Sequence, residues 1–106
     1  MTLPYNFHAS LSELVNIQTD SIVSRTVFED ETVKIVIFGF AAQQELSEHT
    51  SSRSAMIHII RGRAKLTVGD DAYEVQDNAW LQMQPRLPHS IVAITDTIML
   101  LYMMKE

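Results

Sequence analysis

Cysteine is absent from this chain, which excludes disulfide bonds and thiolate metal ligands. The absence is typical of proteins that work in a reducing compartment. Glycine occurs at only three positions, so the chain has no glycine-rich loop that could hold phosphate groups. It also has no serine-centred nucleophile elbow and no cysteine nucleophile. Nothing in the sequence therefore indicates nucleophilic catalysis.

Basic residues are few and scattered. Eight Lys and Arg residues stand against thirteen Asp and Glu residues, and the formal net charge is -5. Without a basic patch we expect no nucleic-acid partner. No apolar run approaches the roughly 20 residues that span a bilayer, so we expect no membrane partner. The first fifteen residues contain neither Lys nor Arg and no continuous apolar segment, which argues against a secretory signal. We predict a cytoplasmic location.

The length of 106 residues and the hydrophobic content of 46% predict a single globular domain over residues 1–106. Residues 1–20 form an N-terminal arm that contains one helix signal. Ser10 and Glu13 have the spacing of a capping box, and Leu11, Leu14 and Val15 follow at helical spacing. We therefore predict a short N-terminal helix in this arm.

From Ser21 onward the pattern is typical of β-structure. Short segments rich in β-branched and apolar residues alternate with turn residues about every 8–12 positions. We predict strands over residues 22–28, 32–38, 54–60, 64–68, 72–76, 79–83, 89–94 and 97–104. This spacing predicts an all-β sandwich or barrel.

Two of these strands are apolar on both faces, at residues 56–60 and 98–103. A half-exposed antiparallel strand alternates apolar with polar residues, so we expect both faces of these two strands to be covered. A second copy of the chain would cover the outer faces, and we therefore predict a homodimer. The alternative is that the N-terminal helix and the first strand fold over the same faces.

Two histidines mark the ends of the central segment. His49 follows Glu48, His89 follows Leu87-Pro88, and Gly62 lies at a turn between them. This layout resembles the cupin family. The first cupin motif has a glycine, two histidines one residue apart, a glutamate and a closing glycine. The second has a glycine, a proline, another glycine, a histidine and an asparagine. The chain is thus similar to a small single-domain RmlC-like cupin with its conserved barrel core over residues 38–104. The resemblance implies an antiparallel β-barrel, or jelly roll.

The other motif positions depart from the family pattern. Ser51 takes the place of the second histidine and Ala55 that of the glutamate. The remaining departures are Gln43, Asn78, Gln84, Arg86 and Ala93. In metal-binding cupins the three histidines and the glutamate hold one divalent ion, and the resemblance implies iron, nickel, manganese, zinc or copper. Here only His49 and His89 remain as ligands, where catalytic metal sites normally have three from the protein.

Neither nearby acid is a good replacement for the missing glutamate. Glu48 neighbours His49 and points to the opposite face of a regular strand. Glu45 has the same parity as His49 but lies four residues away, about 13 Å along an extended strand. We expect residues 49, 51 and 55 to face the barrel interior, provided that the loop between them keeps the strand parity.

The leading functional hypothesis is a small-molecule-binding barrel, sensory or accessory in role. We expect its pocket to be lined by His49, Ser51, Ile57, Gln82 and His89, with the histidines supplying hydrogen bonds. The alternative is a metal-dependent cupin enzyme (a dioxygenase, isomerase or decarboxylase) that holds its ion on His49 and His89. A third hypothesis is an interaction protein that uses the apolar outer strands. Both histidines could also be hydrogen-bonded interior residues without a further role.

Two other side chains are assigned from their place in the strands. His58 has the opposite parity to Ala55, so we expect it on the outer face of its strand. Trp80 belongs to a short apolar strand, and we expect it in the core.

Overall fold

Nine antiparallel strands in two sheets form the part of the protein that the computed structural model describes, residues 3–105. One sheet has five strands in the order β1-β2-β9-β4-β7, and the other has four in the order β3-β8-β5-β6. This confirms the all-β prediction. No helix within residues 3–105 is long and apolar enough to cross a membrane. The strands are β1 (Ile22–Glu29), β2 (Val33–Phe40), β3 (Glu45–His49), β4 (Ala55–Arg61), β5 (Ala64–Val68), β6 (Asp71–Val75), β7 (Trp80–Met83), β8 (His89–Ala93) and β9 (Thr97–Met104).

The main core lies between the two sheets. Inward side chains alternate with outward ones along the regular strands, as in β4, where Ala55, Ile57 and Ile59 are buried and Met56 and His58 are half-buried. The opposite sheet contributes the other wall of this core. The buried members are Phe40, Ala55, Ile57, Ile59, Ala64, Leu66, Met83, Ile91, Ala93 and Met99.

The segment predicted to form the N-terminal helix is not an α-helix. Leu11–Leu14 form a single 3-10 turn, and Ser10 makes no capping bond, because its hydroxyl pairs with that of Ser12 instead. The chain is already extended at Val15 (φ -128, ψ 146). A segment this short gains too few backbone hydrogen bonds to offset helix nucleation, so packing against the sheet decides its conformation.

The arm packs on the outer face of the five-stranded sheet, where it buries Ile37, Ile98 and Leu100. Its contributing side chains are Leu11, Leu14, Val15 and Ile17. Gly39 on β2 makes this close approach possible, since a Cβ at that position would lie 2.9 Å from Cγ1 of Ile17.

The arm therefore supplies part of the cover that the apolar outer face of β9 requires. Cover by the N-terminal segment is the alternative to a homodimer that the sequence leaves open. The homodimer itself stays a prediction, and the face that the arm leaves open includes Met56 and Trp80.

Candidate functional site

The two histidines of the sequence motifs face each other across neighbouring strands. His49 ends β3 and His89 begins β8, and the two are directly opposite in the antiparallel register. Their ring centroids lie 4.2 Å apart, with the ring planes tilted by 60°. Residues about 40 positions apart in sequence are thus brought into contact by strand pairing.

A β-bulge in β3 aims His49 into the barrel. Leu46 pairs with Ile91 and His49 pairs with His89, so two residues of β3 lie opposite one residue of β8. The bulge shifts the parity of the strand. Leu46 and His49 therefore share the inner face, whereas Glu45, opposite Val92, is exposed. The prediction that Glu45 has the parity of His49 is wrong for this reason.

Each imidazole is held by a backbone carbonyl two residues earlier in the chain. Nδ1 of His49 lies 2.8 Å from the carbonyl oxygen of Ser47, and Nδ1 of His89 lies 2.8 Å from that of Leu87. A carbonyl oxygen only accepts, so Nδ1 is the donor in both rings. In the neutral imidazole this fixes Nε2 as the acceptor. Neither Nε2 makes a hydrogen bond within residues 3–105, and neither is a fully buried atom without a partner.

A small apolar cavity lies between the histidines and the core. Its volume is about 30 Å³, enough for one or two water molecules. His89 is buried at 9% exposure, whereas His49 is exposed, so the histidine pair connects the cavity to solvent. The lining residues are Leu46, His49, Ile57, Leu66, His89, Ser90, Ile91, Met99 and Leu101.

Three of the five predicted pocket residues, His49, Ile57 and His89, line this cavity together. Gln82 does not. It is exposed and pairs with Met56 on β4, whereas Leu81 pairs with the inward Ile57. The face of a β7 side chain is thus set by its register with β4, which the sequence alone does not reveal.

Ser51 also lies away from the cavity. It belongs to the loop between β3 and β4, where its carbonyl accepts a hydrogen bond from the Arg86 amide at 2.7 Å. Its hydroxyl accepts from the Arg53 amide at 3.2 Å. The strand parity assumed for residues 49, 51 and 55 breaks at this loop, because β3 and β4 belong to different sheets.

Several apolar cavity residues were not singled out from the sequence: Leu46, Leu66, Ile91, Met99 and Leu101. Each is an inward residue of a strand, so alternation within its strand is the only signal that points to it.

Trp80 was assigned to the core, and this prediction is wrong. Its side chain is 64% exposed on β7, directly opposite His58 of β4. His58 lies on the outer face, as predicted, because it alternates with the inward Ile57 and Ile59. Directly opposite residues of neighbouring strands share a face of the sheet, so Trp80 lies on the outer face with His58.

The donor set at the histidine pair does not fit a resident catalytic metal ion. Ala55, at the glutamate position, is buried on the inner face and offers only a methyl group. Within residues 3–105 no group of three or more His, Cys, Asp or Glu side chains is placed to hold an ion. Two imidazoles without a carboxylate leave one ligand fewer than the usual three, and no negative charge to offset that of the ion.

Comparisons with known structures agree with this fold. A cupin superfamily protein from Desulfitobacterium hafniense superposes with a TM-score of 0.88 at 21% identity, covering 98% of this chain and 95% of that one. An RmlC-like cupin from Desulfovibrio desulfuricans gives 0.83 at 29% identity, covering 94% and 96%. A conserved Streptococcus pyogenes protein of unknown function gives 0.84 at 29% identity, covering 100% and 96%. No protein-family model and no curated protein sequence matches the chain.

The two sheets and these neighbours place the chain in the cupin fold class. Its fold is that of a small RmlC-like cupin domain. The resemblance inferred from His49, Gly62 and His89 is therefore confirmed at the level of the fold.

Proposed function

We propose that this cupin binds a small organic molecule at the His49–His89 pair and its cavity, without a resident metal ion. The observation that carries the proposal is the pair of Nδ1–carbonyl hydrogen bonds. They orient both rings and leave two Nε2 acceptors without a protein partner. A hydroxyl or N–H group of a ligand can donate to one of these acceptors, and a ligand with two donor hydrogens can bond both. The apolar cavity wall accommodates the carbon skeleton beside them.

The size of the cavity limits how the ligand lies. At about 30 Å³ it is far below the roughly 300 Å³ of pockets that enclose a drug-sized molecule. Only a small part of the ligand enters, and the rest extends past the exposed His49 towards the barrel rim. A sensory or accessory role is consistent with this, because binding then needs no reacting group from the protein.

A metal-dependent cupin enzyme is the second candidate, and one observation favours it. Histidines that ligate metals commonly donate their second ring nitrogen to a carbonyl or carboxylate, as Nδ1 of His49 and His89 does. Iron, nickel, manganese, zinc or copper would be held by the two Nε2 atoms, and water or substrate would complete the coordination. The bound ion would act as a Lewis acid or redox centre.

The test combines metal content with ligand binding. The protein is analysed for metals before and after exposure to these five ions, and a chelated sample is screened against small organic molecules by NMR. His49→Ala and His89→Gln are compared with His58→Ala, which removes a histidine from the outer face. Thermal unfolding shows whether each variant remains folded.

We expect background metal in all samples. We also expect some of the small organic molecules to shift NMR signals of the protein. These shifts should disappear in the His49 and His89 variants and persist in His58→Ala. Near-stoichiometric metal that is lost only in the two site variants would overturn the proposal in favour of the enzyme. Ligand binding that neither site variant weakens would overturn it as well.

A further inference from the structure

A second groove at the same end of the barrel is rich in positive charge. Its volume is about 190 Å³, and we call it the rim groove. The side chains that matter for its chemistry are Lys34, Ser51, Ser52, Arg53, Met103 and Lys105. Three of the eight Lys and Arg residues of this acidic chain thus line one groove.

Strand register places the rim groove next to the histidine cavity. Met103 on β9 lies opposite both Lys34 on β2 and the buried Ala55 on β4, so these three share the inner side of the five-stranded sheet. Leu101, the preceding inward residue of β9, lines the histidine cavity. Two residues of a strand span about 7 Å, so one small molecule can reach from the cavity to the groove.

The loop between β3 and β4 gives a second connection. His49 ends β3, and Ser51, Ser52 and Arg53 follow it into the rim groove. The loop is fixed at both ends by backbone hydrogen bonds. The Ser51 carbonyl accepts from Arg86 at 2.7 Å, and the Ser54 carbonyl accepts from Met104 at 3.1 Å. Because these bonds already order the loop, a ligand that contacts it loses less free energy to ordering the loop on binding.

The charge of the groove is only partly compensated within the chain. Nζ of Lys105 pairs with the Glu29 carboxylate at 2.6 Å, and this bond is the main reason why the pKa of Glu29 is lowered. Among residues 3–105, Lys34 and Arg53 have no carboxylate within ion-pair distance. Glu29 lies opposite Lys34 in the strand register and attracts it, but beyond ion-pair distance. The groove therefore offers two cations without a direct ion pair and two serine hydroxyls, the groups that bind an oxyanion.

We infer that the ligand of this cupin is an organic acid, with its carboxylate or phosphate group in the rim groove between Lys34 and Arg53. A hydroxyl or N–H group at its other end donates to Nε2 of His49 or of His89. The inference rests on the proposed function for the second contact, whereas the groove can bind an oxyanion independently of it. Met103 forms the apolar link between the two polar ends.

Four probes of similar size separate these contacts. Para-hydroxybenzoate carries both a hydroxyl and a carboxylate on a rigid ring. Benzoate lacks the hydroxyl, hydroquinone lacks the acid, and phenyl phosphate replaces the carboxylate by a phosphate. Each probe is titrated by NMR at low ionic strength, because salt screens exposed charges. The protein variants are Lys34→Gln and Arg53→Gln. Lys65→Gln serves as the matched control, since Lys65 is an exposed cation on β5 of the other sheet.

We expect para-hydroxybenzoate to bind more tightly than benzoate or hydroquinone. Each rim-groove variant should weaken binding of the acid about 10-fold, the usual effect of losing one charged hydrogen bond. Hydroquinone binding and the Lys65→Gln control should be unchanged. The ratio of benzoate to phenyl phosphate affinity identifies the preferred oxyanion.

Two other results would separate the claims. If Lys34→Gln and Arg53→Gln leave acid binding unchanged while the His49 and His89 variants abolish it, the oxyanion site is wrong and the proposed function stands. If the rim-groove variants weaken the acids while the histidine variants affect no probe, the oxyanion site stands and the proposed function fails. No response of the Arg53 and Ser52 signals to either oxyanion at tens of millimolar would overturn the inference.

Discussion

His49 and His89 lie opposite each other on β3 and β8, with their ring centroids 4.2 Å apart. Each ring donates from Nδ1 to the carbonyl oxygen two residues before it. The same local bond thus orients both rings, and the β3 bulge turns one of them towards the other. Ser51 and Ala55 stand at the motif positions of the other two metal ligands, and neither contributes a metal-binding group beside the pair. The chain has histidines at two positions of the cupin motifs, and within residues 3–105 no Asp or Glu side chain joins them in a metal-binding group.

The packing of the arm on Gly39 predicts a stability effect at Ile17. We expect Ile17→Ala to lower the free energy of unfolding by about 1–3 kcal/mol, because the side chain packs on the buried Ile37, Ile98 and Leu100 cluster. Chemical denaturation measures the change. Asn16→Ala, at an exposed neighbouring position, should change stability by less than about 0.5 kcal/mol. Equal effects of the two substitutions would show that the arm does not cover this face.

Two turn glycines should respond differently to alanine. Gly62 has φ 109, and a Cβ there would lie 2.4 Å from the carbonyl oxygen of Asp96. Gly69 has φ 57, with Cδ1 of Leu87 at an ordinary 3.4 Å. We expect Gly69→Ala to cost about 1 kcal/mol of stability and Gly62→Ala to cost about 3 kcal/mol or more, since it adds a backbone clash to the strain. Thermal unfolding of both variants would test this order, and a milder effect at Gly62 would contradict it.

The turn between β1 and β2 predicts a pH dependence at Asp30. Its carboxylate accepts from the amide and hydroxyl of Thr32 and from the amide of Val33. The Thr32 amide is the largest of the causes that hold the pKa of Asp30 below its ordinary value of 3.8. A depressed pKa means that the contribution to stability is complete above that value and is lost as the pH falls through the folded-state pKa.

Asp30→Ala should therefore destabilise the protein at neutral pH, and the difference from the unsubstituted chain should shrink in acid. Urea unfolding of both proteins at a series of pH values gives this difference directly. The turn would play no such role if the difference stayed constant from neutral pH into the acid range.

A second copy of the chain stays a prediction. Trp80 is 64% exposed on β7, at the edge of the five-stranded sheet, and the extended arm exposes Leu3, Tyr5 and Phe7. Exposed aromatic residues at a sheet edge are typical of interfaces. We expect a dimer by sedimentation equilibrium, and we expect Trp80→Glu to weaken it. A monomer at all concentrations would contradict the prediction.

The sequence predicted the sheet content better than the side-chain directions. Apolar alternation located eight of the strands approximately, but it missed β3, whose Glu45–His49 segment has one aliphatic residue. Ile57 lies on the inner face at the cavity, as alternation in its regular strand predicts. Glu45 was not, because the register shift at the bulge becomes visible only when β8 is paired with β3. Gln82 and Trp80 were misassigned because the face of a short edge strand is set by its partner.

The capping-box signal also failed for a physical reason. Ser10 and Glu13 have the right spacing, but the arm is held by its contacts with the sheet, and a 3-10 turn suffices to place Leu11 and Leu14 there. The rim groove was missed altogether. Lys34, Arg53 and Lys105 come from separate parts of the chain, and no local pattern connects them.

The protonation pattern of the two imidazoles is the most direct test of the proposed histidine site. Long-range proton–nitrogen NMR measures it on protein treated with a chelator, at a pH where both rings are neutral. We predict the Nδ1–H form for both His49 and His89, with unprotonated Nε2 signals that shift when para-hydroxybenzoate is added. An Nε2–H form in either ring, or Nε2 signals that do not respond to a bound ligand, would contradict the claim that these atoms form the binding site.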